Sequence, residues 1–184
     1  LIAGSERTLQ LTANSQSFVF NDIGDEPVPS LLRDFSAPVN LEFDYTAEQL
    51  TLLLAFESDP FNAWEAGQRL ASTLILGAAA EIAAGRTPHW PDSFTSACRR
   101  LLQTQRERGA AFVAEALTLP GETTLAEQLD VVDPDALHAA RNGLRRHLAE
   151  QLEGEFSGLY AALTVKEAYA PDSEQAGRRA LRNL

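Results

Sequence analysis

At 184 residues with a formal net charge of -11, the chain is long enough to remove roughly 70% of its unfolded surface from water, and too acidic to hold phosphate backbones or anionic lipid surfaces by bulk electrostatics. A composition of 45% hydrophobic and 22% charged residues excludes the low-hydrophobicity class that stays disordered. The single cysteine, Cys98, excludes an intramolecular disulfide and a cysteine-rich zinc finger, and points to a reducing, cytoplasmic compartment.

The acidity is uneven: residues 1–98 hold 13 Asp and Glu against 4 Arg, while residues 99–184 hold 13 against 11 Lys and Arg. The longest apolar stretch, Leu70 to Ala84, is interrupted by Ser72, Thr73 and Glu81 and falls short of the ~20 residues a membrane span needs. No membrane or nucleic-acid partner is expected. With no methionine and Leu at position 1, the chain reads as an excised piece of a longer protein.

Residues 1–44 carry strand signals. Thr8-Leu9-Gln10-Leu11-Thr12 alternates, Ser17-Phe18-Val19-Phe20 follows the turn-prone Ala13-Asn14-Ser15, and Val39-Asn40-Leu41-Glu42-Phe43 alternates again after Pro38. Between them, Gly24, Pro27 and Pro29 mark a loop, because proline has no amide hydrogen to give to a ladder. Three or four short strands do not complete a sheet, so this region reads as the end of a larger β domain.

Residues 45–184 carry helical spacing. Thr46-Ala47-Glu48-Gln49 has the form of a capping box, and Asp59-Pro60 and Asp133-Pro134 each place an N-cap carboxylate before a proline at the first helical position. The stripe Phe61, Trp64, Ala71, Ile75, Ala78, Ile82 predicts one core face ending near Gly85, and Leu137, Ala140, Leu144, Leu148, Leu152 predicts another. Further helices are predicted over 92–105, 108–117, 124–129 and 153–163, and from Ser173. The fold class is therefore mainly α: a short β-strand remnant followed by an antiparallel helical bundle or superhelix of about seven or eight helices.

The chemistry-bearing residues are sparse. A zinc peptidase places two imidazoles and a carboxylate on one helix as His-Glu-x-x-His. Here the histidines are His89, His138 and His147, and neither of the last two is followed by Glu. His147 with Glu150, three residues apart, is the nearest thing to a metal pair, and a surface pair is its plainer reading. Cys98 lies within an apolar helix pattern and reads as a buried hydrophobe rather than a thiolate. There is no phosphate-binding glycine loop or nucleophile elbow. Arg141, Arg145, Arg146 and His147, and likewise Arg178, Arg179 and Arg182, are basic clusters able to grip an anion. With Glu150, Glu153, Glu155 and Glu174 nearby, ion pairs across helix turns are expected instead. Trp64 reads as core; Trp90, between His89 and Pro91, reads either as a ligand-stacking ring or as packing. No catalytic, cofactor-binding or metal-binding residue is assigned.

Pro27-Val28-Pro29-Ser30-Leu31-Leu32-Arg33-Asp34-Phe35-Ser36-Ala37-Pro38-Val39 resembles a signature of the bacterial aminopeptidase N family at the end of its immunoglobulin-like β-sandwich. Ser58-Asp59-Pro60-Phe61-Asn62-Ala63-Trp64-Glu65-Ala66-Gly67-Gln68 is similar to the same family's entry into its helical domain, with Ala63 where the family more often carries Arg. Glu115 to Pro120, Asp133-Pro134 and Arg179 to Leu184 also match in order. The resemblance implies two domains, 1–44 closing the β-sandwich and 45–184 opening the helical domain, which continues beyond Leu184.

Members of that family are zinc-dependent gluzincin peptidases that remove N-terminal residues from peptides. Their His-Glu-x-x-His and Gly-x-Met-Glu-Asn segments lie in an upstream catalytic domain, and neither occurs here, so no catalytic or zinc-binding role transfers to any residue of this chain. The implied zinc belongs to the parent enzyme, and the implied role of this piece is a non-catalytic scaffold and cover over the active-site cavity. Its partners are then its own upstream catalytic domain and, in the intact enzyme, the peptide substrate, with the acidic bias of residues 1–98 steering the peptide amino terminus. Cut surfaces predict self-association of the isolated piece. The alternative class is an independent helical adaptor that binds proteins in a groove of stacked helix pairs, which calls for an internal repeat that the sequence does not display. A hydrolase built on His147 and Glu150 is a third, remoter reading.

Overall fold

The computed structural model describes residues 7–164 and 167–184; positions 1–6 of the expected β region lie outside them. A 3-10 turn at Arg33–Phe35 precedes nine helices among the described residues: α1 Ala47–Phe56, α2 Pro60–Ala83, α3 Asp92–Gln103, α4 Gln105–Arg108, α5 Ala110–Leu117, α6 Glu122–Ala126, α7 Pro134–Gln151, α8 Glu153–Ala162 and α9 Ser173–Asn183.

Helices begin where the sequence supplies acceptors for their free amides. The Thr46 hydroxyl accepts from the Gln49 amide at 3.2 Å while the Gln49 side chain accepts from the Thr46 amide at 3.0 Å, closing the capping box of α1. Asp59 accepts from the Asn62 amide at 2.9 Å and Asp133 from the Ala136 amide at 3.0 Å, each ahead of a proline that opens α2 or α7. Helix α2 ends as predicted near Gly85, whose φ of 71° lets the Arg86 amide turn back onto the Glu81 carbonyl at 2.8 Å.

Helix α2 is the axis of the body, packed against α1, α5 and α7, while α3 joins α1 to α5 and α8, and α9 returns onto α5. The core is continuous across these elements, with Leu54, Ile75, Leu101, Val113, Leu125, Leu144 and Leu152 fully enclosed. The α7 stripe is buried as its spacing predicts. The α2 stripe is only half right: Ala71, Ile75 and Ala78 are buried, but Phe61 is 41% exposed and Trp64 and Ile82 are only half-buried. The first turn of α2 faces the Arg33–Phe35 turn rather than the core, and the Phe61 ring lies 4.6 Å from Phe35 and 5.7 Å from Trp64. Its buried face there is built instead from Ala63, Ala66 and Gly67, where a side chain on Gly67 would meet Leu54 at 2.9 Å.

The mainly α fold class is borne out, and the expected strand remnant is not visible among the described residues. Among the described residues no strand forms, and Thr8–Thr12, Ser17–Phe20 and Val39–Phe43 run without ladder pairing, leaving Leu11, Val19, Phe20 and Leu41 exposed. The reason is physical: a helix closes its hydrogen bonds within itself, whereas a strand needs a neighbour for every one, and these three short segments do not supply it to one another.

Candidate functional site

The two segments that carry the family resemblance meet in space. Between α1 and α2 lies Glu57-Ser58-Asp59, and both carboxylates are almost fully enclosed, at 9% and 5% exposure. Buried carboxylates are costly unless hydrogen-bonded and paired, and here both conditions are met. Arg33 pairs with Glu57 and donates to the Ser58 hydroxyl at 3.0 Å. The Glu57 carboxylate also accepts from the Asp59 amide at 2.7 Å, and Asp59 accepts from the Asp34 amide at 2.9 Å as well as capping α2. Asn62 donates to the Ser30 hydroxyl at 2.9 Å and the Leu31 carbonyl at 2.8 Å. From the far side Arg108 donates to the Glu57 carbonyl. A second tie holds the same segment: the Tyr45 hydroxyl donates to the Pro29 carbonyl at 2.8 Å, and Arg69 lies over the Tyr45 ring while donating to the Phe43 carbonyl at 2.9 Å.

Electrostatics and backbone agree on a firm joint. Burial alone would raise both carboxyls. For Glu57 the Asp59 amide, the Ser30 hydroxyl and Arg33 outweigh it; for Asp59 the Asn62 and Asp34 amides and Arg33 do, and each is held below the usual carboxylate range. Leu32, Asp34 and Phe35 all take left-handed backbone angles, with φ of 55°, 53° and 52°. Non-glycine residues adopt that region only where the surroundings insist, and the bonds donated by Arg33 and the Asp34 amide and accepted by the Leu31 carbonyl are those surroundings. Beside the joint opens a cleft of about 400 Å³ walled by Leu31, Phe35, Leu41, Tyr45, Leu50 and Phe61.

The carboxylates of the joint are committed to donors: Glu57 to Arg33 and the Asp59 amide, Asp59 to the Asn62 and Asp34 amides. Sequence reading missed it because charged residues default to the surface and no spacing rule links Arg33 to Glu57. The one available signal was that both lie in or next to the segments with family resemblance.

The other candidates are placed apart. His147 Nε2 lies 3.1 Å from the hydroxyl of buried Thr95, joining α7 to α3, while Glu150 is exposed. His138 lies between Glu122 at 2.9 Å and Asn142 at 2.8 Å. Among the described residues no group of three or more His, Cys, Asp and Glu side chains is placed to hold a metal ion. Cys98 is enclosed in the core and burial pushes its thiol up to about 12, which leaves it protonated and inert. Trp90 packs: its ring would meet a side chain added to Gly143 of α7 at 3.1 Å.

Among the described residues the arginine clusters make no ion pair with Glu150, Glu153, Glu155 or Glu174, and the second cluster pairs instead through Arg178 with Glu167 at 3.8 Å. Arg141 donates to the Pro120 carbonyl at 2.7 Å and to that of Leu119 at 3.3 Å, and Arg145 and Arg146 are exposed. Arg179 and Arg182 lie over the rings of Tyr169 and Tyr160, 4.9 and 3.9 Å from their centres. Glu155 pairs with Arg99 at 2.7 Å instead. No helix among the described residues is long and apolar enough to cross a membrane.

A helical body clasping an extended segment defines a class before it defines a relative, and the chain belongs to the family described as "Domain of unknown function (DUF3458_C) ARM repeats", matched over residues 47–184. A companion family described as "Domain of unknown function (DUF3458) Ig-like fold" matches residues 2–44. The resemblance read from the sequence extends over most of the chain. It is 36% identical to aminopeptidase N of Escherichia coli (strain K12) over 95% of its length and 20% of that protein's. It is 39% identical to aminopeptidase N of Caulobacter vibrioides over 89% of its length and 18% of that protein's. Among solved structures it is similar to Legionella pneumophila aminopeptidase A in complex with aspartic acid, with a TM-score of 0.72 and 30% identity over 89% of this chain and 19% of that one. The chain thus spans about a fifth of the length of the curated relatives it matches.

Proposed function

We propose that the chain is a non-catalytic part of a zinc aminopeptidase that removes N-terminal residues from peptides, and that it serves as a scaffold and cover over the active-site cavity of the intact enzyme. The observation that carries this reading is the clasp of Arg33 on Glu57, which fixes the segment resembling the end of the β-sandwich to the first helices of the body. A rigid joint of this kind transmits the position of one domain to the next. The domain boundary falls in the connection at residues 44–45, consistent with separate family matches over 2–44 and 47–184. The zinc and the peptide-hydrolysing groups belong to the rest of the enzyme, because this sequence lacks a His-Glu-x-x-His segment. Its partners are that catalytic domain and, through it, the peptide; nucleic acid and membrane surfaces are not among them. A reducing, cytoplasmic setting suits a chain whose one cysteine is an interior side chain.

The test is to assay this chain and the product of the complete gene in parallel on a chromogenic amino-acid amide, with metal content measured. The reading requires an inert, metal-free chain beside an enzyme that a chelator stops. Zinc binding and turnover by the chain itself would overturn it. The description of the family as ARM repeats favours one second reading, a protein-binding surface of stacked helix pairs. That reading calls for an intact protein whose partner binding survives loss of peptidase activity.

A further inference from the structure

The cleft beside the joint has an apolar rim that the chain leaves bare. Phe35, Val39 and Leu41 from the extended segment and Phe61 from α2 all line it, and all four are exposed, Phe35 by 71%. With the Phe35 and Phe61 rings 4.6 Å apart, the rim is one patch built by both family-matched segments. Single exposed apolar side chains need no explanation, but a cluster of them around a concavity marks a docking surface.

The polar side chains of the cleft narrow what fits there. Ser30 and Asn62 bond to each other, Arg69 is spent on the Phe43 carbonyl and the Tyr45 ring, and Asn40 is exposed at the rim. Glu65 differs. It stands between Phe61 and Arg69 on one stripe of α2, lines the cleft and is half-buried, yet it makes no hydrogen bond or ion pair among the described residues. Its ordinary partner four residues on would be Arg69, which is engaged elsewhere. A carboxylate drawn partly out of water beside apolar walls gains from a cation brought to it.

A second copy of this chain does not bring that cation. Residues 30–70 hold seven Asp and Glu against two Arg, and both arginines, Arg33 and Arg69, are already engaged. A symmetric pair would therefore set like charges face to face. The chain spans only about a fifth of the length of its curated relatives, and the patch lies across the junction of the two family matches. Resting on the reading of the chain as part of a larger enzyme, we propose that this patch is an internal docking surface of the intact protein. An apolar segment from the rest of that protein fills the cleft against Phe35 and Phe61, and a Lys or Arg beside it pairs with Glu65.

The experiment is hydroxyl-radical footprinting, read by mass spectrometry, on this chain and on the product of the complete gene side by side. Phe35 and Phe61 should be modified readily in the chain and about tenfold more slowly in the complete protein, because a packed interface excludes water. Glu65→Lys in the complete protein should return most of that reactivity, Glu65→Gln less, and Glu65→Lys in the chain alone should change nothing. Equal modification in the two proteins overturns the proposal, as does protection that Glu65→Lys leaves untouched. Protection that appears in the chain alone as its concentration rises makes the occupant a second copy and overturns it as well. Peptidase and metal assays on the same sample judge the aminopeptidase reading separately: an inactive, metal-free complete protein that still shields Phe61 would sink that reading and leave the docking surface standing.

Discussion

Residues 47–183 enclose Leu54, Ile75, Leu101 and Leu144 completely, whereas residues 7–44 leave Leu11, Val19, Phe20 and Ile23 in water. Hydrophobicity does not separate the two regions, since both contain regularly spaced apolar side chains. What separates them is where the backbone finds its partners. Each helix satisfies its own N–H and C=O groups and then needs only one apolar stripe to dock. The extended region has no second strand among the described residues, and what order it has comes from side chains: Arg33 on Glu57, Asn62 on Ser30 and Leu31, Tyr45 on Pro29. One region is held by its core and the other by a few polar ties.

That contrast predicts a ranking of effects. Leu144→Ala, in the fully enclosed face of α7, should cost about 4 kcal/mol and unfold the whole helical body in urea at a much lower concentration. Glu57→Ala leaves Arg33 without its enclosed carboxylate and should cost about 3 kcal/mol, but with a different signature. Proteolysis should open first between residues 27 and 45 while the helical circular dichroism is kept. Loss of helix in step with that cleavage would show that the joint and the body are one unit.

Acid should act on the same joint. Glu57 and Asp59 sit below the usual carboxylate range in the folded chain, so their contribution is fully present above the ordinary carboxylate pKa, about 4. It is lost as pH falls through their lower folded values. The urea midpoint of the parent chain should therefore fall in that acid window, and that of Glu57→Gln should fall less. Parallel curves would remove the joint from the explanation. Smallest of all, Leu11→Ser should change stability by less than about 0.5 kcal/mol, although the same loss of an apolar side chain in α7 is severe.

The same contrast explains what the sequence could disclose. The starts of α1, α2 and α7 were legible because a cap is a contact between residues three apart. The α7 face was legible because its apolar spacing continues unbroken from Leu137 to Leu148. Phe61 misled because its partner is Phe35, in a turn that no periodicity reports. The enclosure of Glu57 and Asp59 was hidden for the same reason, its cause lying 24 residues away in Arg33. The arginine clusters misled because Arg179 and Arg182 chose tyrosine rings over nearby carboxylates, and a cation over an aromatic ring leaves no spacing signature.

Hydrogen exchange of the chain near neutral pH, read by mass spectrometry on overlapping peptides, tests the two-region account most directly. The account predicts strong protection across α2, α3 and α7, partial protection over residues 29–35 that Glu57→Ala removes, and none over residues 7–23. Protection of residues 7–23 equal to that of α2 would contradict it, because those amides would then have partners that an unpaired extended segment does not possess.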